Sequence, residues 1–106
     1  MTSSECRVEF DSLDWVSSSP GVRAKEVIRS NCRVRLVEFS EGFQEADWCL
    51  RGHVGWIVEG QLRIEFEDRV ELLTAGDGLI IPAGDSSKHR ASVPAGKVVV
   101  FLVDRD

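Results

Sequence analysis

The stretch WIVEGQLRIEF, residues 56–66, decides the fold. In its second half Leu62, Ile64 and Phe66 alternate with Arg63 and Glu65, the period of a half-buried strand. Residues 70–73 offer a return strand, with Glu67-Asp68-Arg69 near the turn, so the reading is an antiparallel hairpin. Working outward, RVRLVEF at 33–39 alternates in the same way. VVVFLV at 98–103 is β-branched and apolar on both faces, and such a strand needs cover on both sides. Turn signals at Gly76-Asp77-Gly78, Pro82-Ala83-Gly84 and Pro94-Ala95-Gly96 punctuate the intervals, and no helical stretch of ten residues interrupts them. Short strands so spaced predict an all-β sandwich or small barrel.

A chain of 106 residues supports one core, so the organisation expected is a single domain. Residues 32–106 carry the barrel, and residues 1–31 form a strand and loop extension that packs on it through Phe10, Leu13 and Trp15. The net charge of −5 argues against a nucleic-acid partner, whose phosphates call for clustered Lys and Arg. Arg23, Lys25, Arg29, Arg33 and Arg35 do concentrate positive charge, and their mostly alternate spacing assigns them to a solvated strand face. No apolar run is long enough to span a bilayer, so no membrane partner is expected. MTSSECRVEF at the start lacks the basic and apolar regions of an export signal. Cys6, Cys32 and Cys49 are odd in number and form no C-x-x-C pair, which speaks against a disulfide framework and suits a reducing cytoplasm.

With these turns and strands in place, the sequence resembles the cupin superfamily, small jelly-roll β-barrels with two motifs about the barrel mouth. The first motif runs G-x5-H-x-H-x3,4-E-x6-G. Anchored on Gly60, it puts Asp47 and Cys49 at the two histidine positions and His53 at the glutamate position, with Gly42 one residue closer than the pattern asks. The second runs G-x5-P-x-G-x2-H-x3-N. Gly76, Pro82 and Gly84 match its spacing, while Ser87 stands at the histidine and Ala91 at the asparagine. The resemblance spans residues 32 to 104 and implies a cupin-type jelly-roll barrel. It names no reaction, because the superfamily hosts many, and it includes metal-free members.

The resemblance also implies how the candidate ligands meet. In one unbroken strand Cys49 and His53 would lie ~13 Å apart. Leu50-Arg51-Gly52 is expected to turn the chain between them, so that Asp47 and Cys49 end one strand and His53 begins the next. His89 is the fourth candidate: either it lies two residues further along a strand than Ser87, or "DSSK" is a lengthened turn that slides His89 into the ligand position. Cys49, His53 and His89, with Asp47, would then hold one divalent transition metal, zinc, iron, nickel or manganese, and thiolate with two imidazoles favours zinc over manganese. No organic cofactor is expected.

A metal-free pocket in which the same side chains are buried core groups stands beside that reading. Trp48 and Trp56, of opposite parity to Cys49 and His53, are expected to point away from the pocket, and Gly55 to leave room within it. Three functions follow: a metal-dependent enzyme, a non-catalytic small-molecule sensor, or an assembly barrel. Apolar surface on residues 98–103 and around Trp56 predicts a homodimer. No catalytic residue is assigned.

Overall fold

A computed structural model describes residues 6–105. Residues 1–5, where the export-signal reading and the extension begin, and residue 106, where the barrel range ends, lie outside the described residues. Among the described residues nine strands form: β1 Val16–Ser19, β2 Val22–Arg29, β3 Cys32–Phe39, β4 His53–Glu59, β5 Gln61–Phe66, β6 Val70–Thr74, β7 Gly78–Ile81, β8 His89–Ser92 and β9 Val98–Arg105. They build two sheets, ordered β1-β2-β3-β9-β4-β7 and β6-β5-β8. From β4 onward the chain passes back and forth between the sheets, the connectivity of a jelly roll. The sheets face each other without closing into a continuous barrel. Among the described residues the helical turns are two 3-10 turns, Phe10–Ser12 and Asp85–Ser87.

The hairpin read from residues 56–66 is present. β5 and β6 pair antiparallel, with Leu62 opposite Leu73, and Phe66 N–H donates to the Arg69 carbonyl at 2.8 Å to close the turn. Gly60, at φ +85, lets β4 leave one sheet and enter the other as β5; a Cβ there would also run into the Lys97 carbonyl. Between the sheets Val37, Ile57, Leu62, Ile64, Val98 and Val100 form the core, with Ile57 and Val98 fully buried. β9 lies between β3 and β4. Its inward Val98, Val100 and Leu102 join the core. Phe101, of opposite parity, is covered by Phe10 edge-on at 6.2 Å and by Trp56 at 5.6 Å. The two-sided apolarity of this strand is thus answered largely within the chain.

Of the segment before residue 32 the described part adds β1 and β2 to the six-stranded sheet, and β2 pairs with β3 along its whole length. The turn between β2 and β3 places Ser30 and Asn31 at φ 51 and 61. Asn tolerates that left-handed region better than most residues.

Two expectations are corrected. Arg33 and Arg35 do not lie on a solvated outer face. β3 pairs Val37 with core Val100 and with Ala24, and the period of two puts Arg35 and Arg33 on that same inward face. Cross-strand carboxylates make this tolerable. Arg35 Nη2 donates to Asp104 Oδ2 at 3.1 Å, and Arg33 pairs with Glu26 while lying 3.9 Å from Asp104. Arg23 and Lys25 do face outward, where both stack on Trp15. The second correction concerns Gly55, which opens no room in the pocket. A Cβ there would collide with the Phe101 carbonyl and lie 3.1 Å from Leu102 Cα, so the glycine exists for close approach of β4 to β9.

Candidate metal centre

Residues 43–49 run along the edge of β8. Phe43 accepts from Val93 N–H at 2.9 Å, Glu45 N–H donates to Ala91 at 2.9 Å, and Cys49 exchanges both backbone hydrogen bonds with His89 at 2.7 and 3.0 Å. Residues paired in this way sit directly opposite one another, with side chains on the same face. The chain then turns at Leu50-Arg51-Gly52, held by Gly84 N–H donating to the Leu50 carbonyl at 2.9 Å. Gly52 permits the tight passage, since a Cβ would meet Ala83 N at 3.0 Å. His53 opens β4 immediately afterwards, as expected. At β8 the lengthened-turn alternative is the one found: Asp85–Ser87 is a 3-10 turn entered through Gly84 at φ +117, and His89 is the first strand residue.

The result is a three-residue cluster. The ligand atoms of Cys49, His53 and His89 all lie within 4.8 Å of one another. Cys49 Sγ is 3.8 Å from His53 Nε2, and the imidazoles meet edge to face at 5.3 Å. Asp47 is exposed and outside the group. Trp48 also points away, beneath Arg90 at 4.3 Å and Lys88 at 5.5 Å, and Trp56 lies on the outer face.

The cluster suits a borderline-soft divalent ion by its donor chemistry. His89, 3% exposed, has Nδ1 at 3.1 Å from the Ser87 carbonyl, a bond that assigns the proton to Nδ1 and leaves Nε2 for a ligand. The His53 ring is driven down to about 4, first by burial and then by His89, with Arg35 and Arg51 adding and Asp104 opposing. It is therefore neutral at physiological pH, as coordination requires. His53 Nδ1 is buried without a hydrogen-bond partner. Coordination through Nε2 would leave that nitrogen's proton unsatisfied, a cost of about 1–3 kcal/mol.

This shift has a measurable consequence for the metal-free protein. An unfolded histidine near ~6.5 takes up a proton that folded His53 refuses until about 4. Stability should therefore be lost as pH falls from ~6.5 to ~4, by about 2 kcal/mol once solvent screening of a half-buried group is allowed for. Urea unfolding across that range, with EDTA present, should show the loss in the parent chain and little of it in His53→Gln.

A cavity of about 280 Å³ adjoins the cluster. Its walls are mostly apolar, Leu62, Ile64, Leu79 and Leu102 among them, and Cys49, His53 and His89 line it together with Ser19 and Glu45. Arg35 and Arg51 line it too. Arg35 escaped the sequence reading because Val34 and Leu36 make the opposite face of β3 equally apolar, so alternation does not say which face is inside. The available signal was Asp104, a second charge at the same end of an otherwise apolar strand.

No family model and no curated protein matches the sequence. Solved structures do match in fold. KdgF from Halomonas sp. superposes with a TM-score of 0.73 at 23% identity, over 91% of this chain and 89% of that one. An RmlC-like cupin from Shewanella frigidimarina gives 0.73 at 19% identity, over 97% and 94%. The polyketide cyclase RemF from Streptomyces resistomycificus gives 0.75 at 17% identity, over 93% and 80%. The turn glycines, the strand order and these superpositions agree, and the chain has the cupin fold.

Proposed function

We propose that this protein binds a small molecule in its cupin cavity beside one divalent transition-metal ion, zinc foremost, held by Cys49, His53 and His89. The observation that carries the reading is the convergence of one thiol and two imidazoles on the wall of a mostly apolar cavity. Cys49 would supply the soft donor, His89 a ligand pre-oriented by Ser87, and His53 a ring kept neutral by burial. When bound, such an ion supplies Lewis acidity toward a ligand oxygen. The chain's own residues contribute a mostly apolar wall and the positive charge of Arg35. A thiolate ligand needs a reducing compartment, which supports a cytoplasmic setting. Elemental analysis of protein purified without added metal tests the reading, and near-stoichiometric metal is expected.

A metal-free pocket for the same small molecule is favoured by one observation, the unsatisfied His53 Nδ1. In that case the His53 proton rests on Nε2, facing Cys49 Sγ at 3.8 Å.

The same proposal includes a homodimer. Trp56 is 54% and Ile80 80% exposed, and with Val54 and Val58 they form an apolar outer face on β4 and β7, with β7 at the sheet edge. Light scattering at tens of micromolar should give twice the chain mass, and Trp56→Arg should shift it to the monomer. A monomeric parent would rule the dimer out.

A further inference from the structure

Arg35 is the one inward charge on β3 next to the cavity that is only half used. Its side chain is 16% exposed; Nη2 is taken by Asp104, and Nε is buried without a hydrogen-bond partner. A guanidinium carries five donors in a planar fork, and leaving one buried and unmade is costly. Burial pushes its affinity for a proton below the ordinary arginine value; Asp104 opposes that, Arg33 and Arg51 add to it, and Glu26 opposes weakly, so three cations share this corner with two carboxylates.

The neighbouring cations outnumber the carboxylates that pair with them. Arg33 is paired with Glu26, Asp104 is shared by Arg33 and Arg35, and Arg51 has no carboxylate partner among the described residues. Glu45, the carboxylate on the cavity wall, has its Oε1 occupied by Ala91 N–H at 2.8 Å. The chain as a whole carries −5, so this basic corner is a local inversion. Below Arg35 the wall is Val37, Ile64, Ile81 and Val100, which offers hydrocarbon contact and no hydrogen bonds from side chains.

We propose that the cavity selects a small carboxylate with an apolar body, its anion on Arg35 with Arg51 at the mouth and its body against Val37, Ile64 and Val100. This rests on the reading of the cavity as a small-molecule site and gives that site a substrate class. The Nε edge is closed to a ligand, so the carboxylate accepts from the terminal nitrogen that Asp104 leaves open, and the apolar wall limits the water that would otherwise weaken the pair. About 280 Å³ limits the ligand to a compact one, of the order of a substituted benzoate.

Benzoate and its neutral isostere benzamide are the probes, titrated into the full chain with and without EDTA and followed by calorimetry and by amide NMR shifts of cavity residues. Benzoate should bind ~10-fold or more tightly than benzamide, with or without EDTA, and rising salt should weaken benzoate alone. Arg51→Ala, at an exposed position, should weaken benzoate ~3-fold. Arg35→Met should erase the preference. If that variant fails to fold because Asp104 is left alone, Arg35→Met combined with Asp104→Leu repeats the test with both charges removed. Equal affinity for the two probes, with shifts on cavity residues, would overturn the carboxylate assignment while leaving the small-molecule site standing. Benzoate binding that survives loss of Arg35, or that vanishes with EDTA, would also overturn it. If neither probe shifts a cavity residue, the assignment is wrong and the small-molecule site fails with it, whereas the metal content of the purified protein is decided separately.

Discussion

Gly55→Val is expected to abolish the cooperative fold. Gly55 pairs with Leu102 in the β4–β9 ladder, flanked by the pairs Val54–Val103 and Trp56–Phe101. A side chain at residue 55 would meet the Phe101 carbonyl and the Leu102 backbone, neither of which can swing aside as a flexible side chain can. Relief would require β4 to move away from β9, and that would open the core around Ile57 and Val100. Losing that packing is worth ~5 kcal/mol or more, comparable to the whole stability of a small domain. Circular dichroism should show a melting temperature lowered by ~20 °C or more, or no transition. Gly55→Ala should move the same way by less. A valine variant that melts within a few degrees of the parent would show that β4 and β9 do not approach this closely.

The second large effect concerns the cluster. His53→Ala and His89→Ala should each reduce zinc binding by ~100-fold or more, because two donors do not fill the preference of the ion for four. Cys49→Ser should weaken zinc far more than manganese, since only the soft donor is lost. Asp47→Ala should change neither, because Asp47 is exposed and outside the cluster. Metal per chain after dialysis against zinc, manganese, iron and nickel salts checks all four variants. Stoichiometric zinc retained by both histidine variants would place the ion elsewhere.

The strands were legible because their alternation is enforced by burial. Leu62, Ile64 and the turn at Glu67-Asp68-Arg69 could be read directly, and so could the cover required over residues 98–103. The turn at Leu50-Arg51-Gly52 and the resulting meeting of Cys49 with His53 followed from the motif spacing. The choice between two positions for His89 did not, since it depends on a 3-10 turn that adds residues before the strand begins. Parity failed at β3, where Val34 and Leu36 oppose Val37, and there it hid the inward arginines. It also misread Gly55: a glycine marks either spare room or a close backbone, and only the β9 carbonyl decides which. Asp47 shared parity with Cys49 on paper, yet the strand pairing is interrupted between residues 44 and 49, so the period of two no longer carries through.

X-ray absorption at the zinc edge of the zinc-loaded protein tests the central claim most directly. One sulfur scatterer at ~2.3 Å, with nitrogen or oxygen at ~2.0–2.1 Å and the outer-shell signature of two imidazoles, is the predicted spectrum. The sulfur should disappear in Cys49→Ser. A zinc environment of oxygen and nitrogen alone in the parent chain, or no zinc retained at all, would contradict a metal centre built from Cys49, His53 and His89.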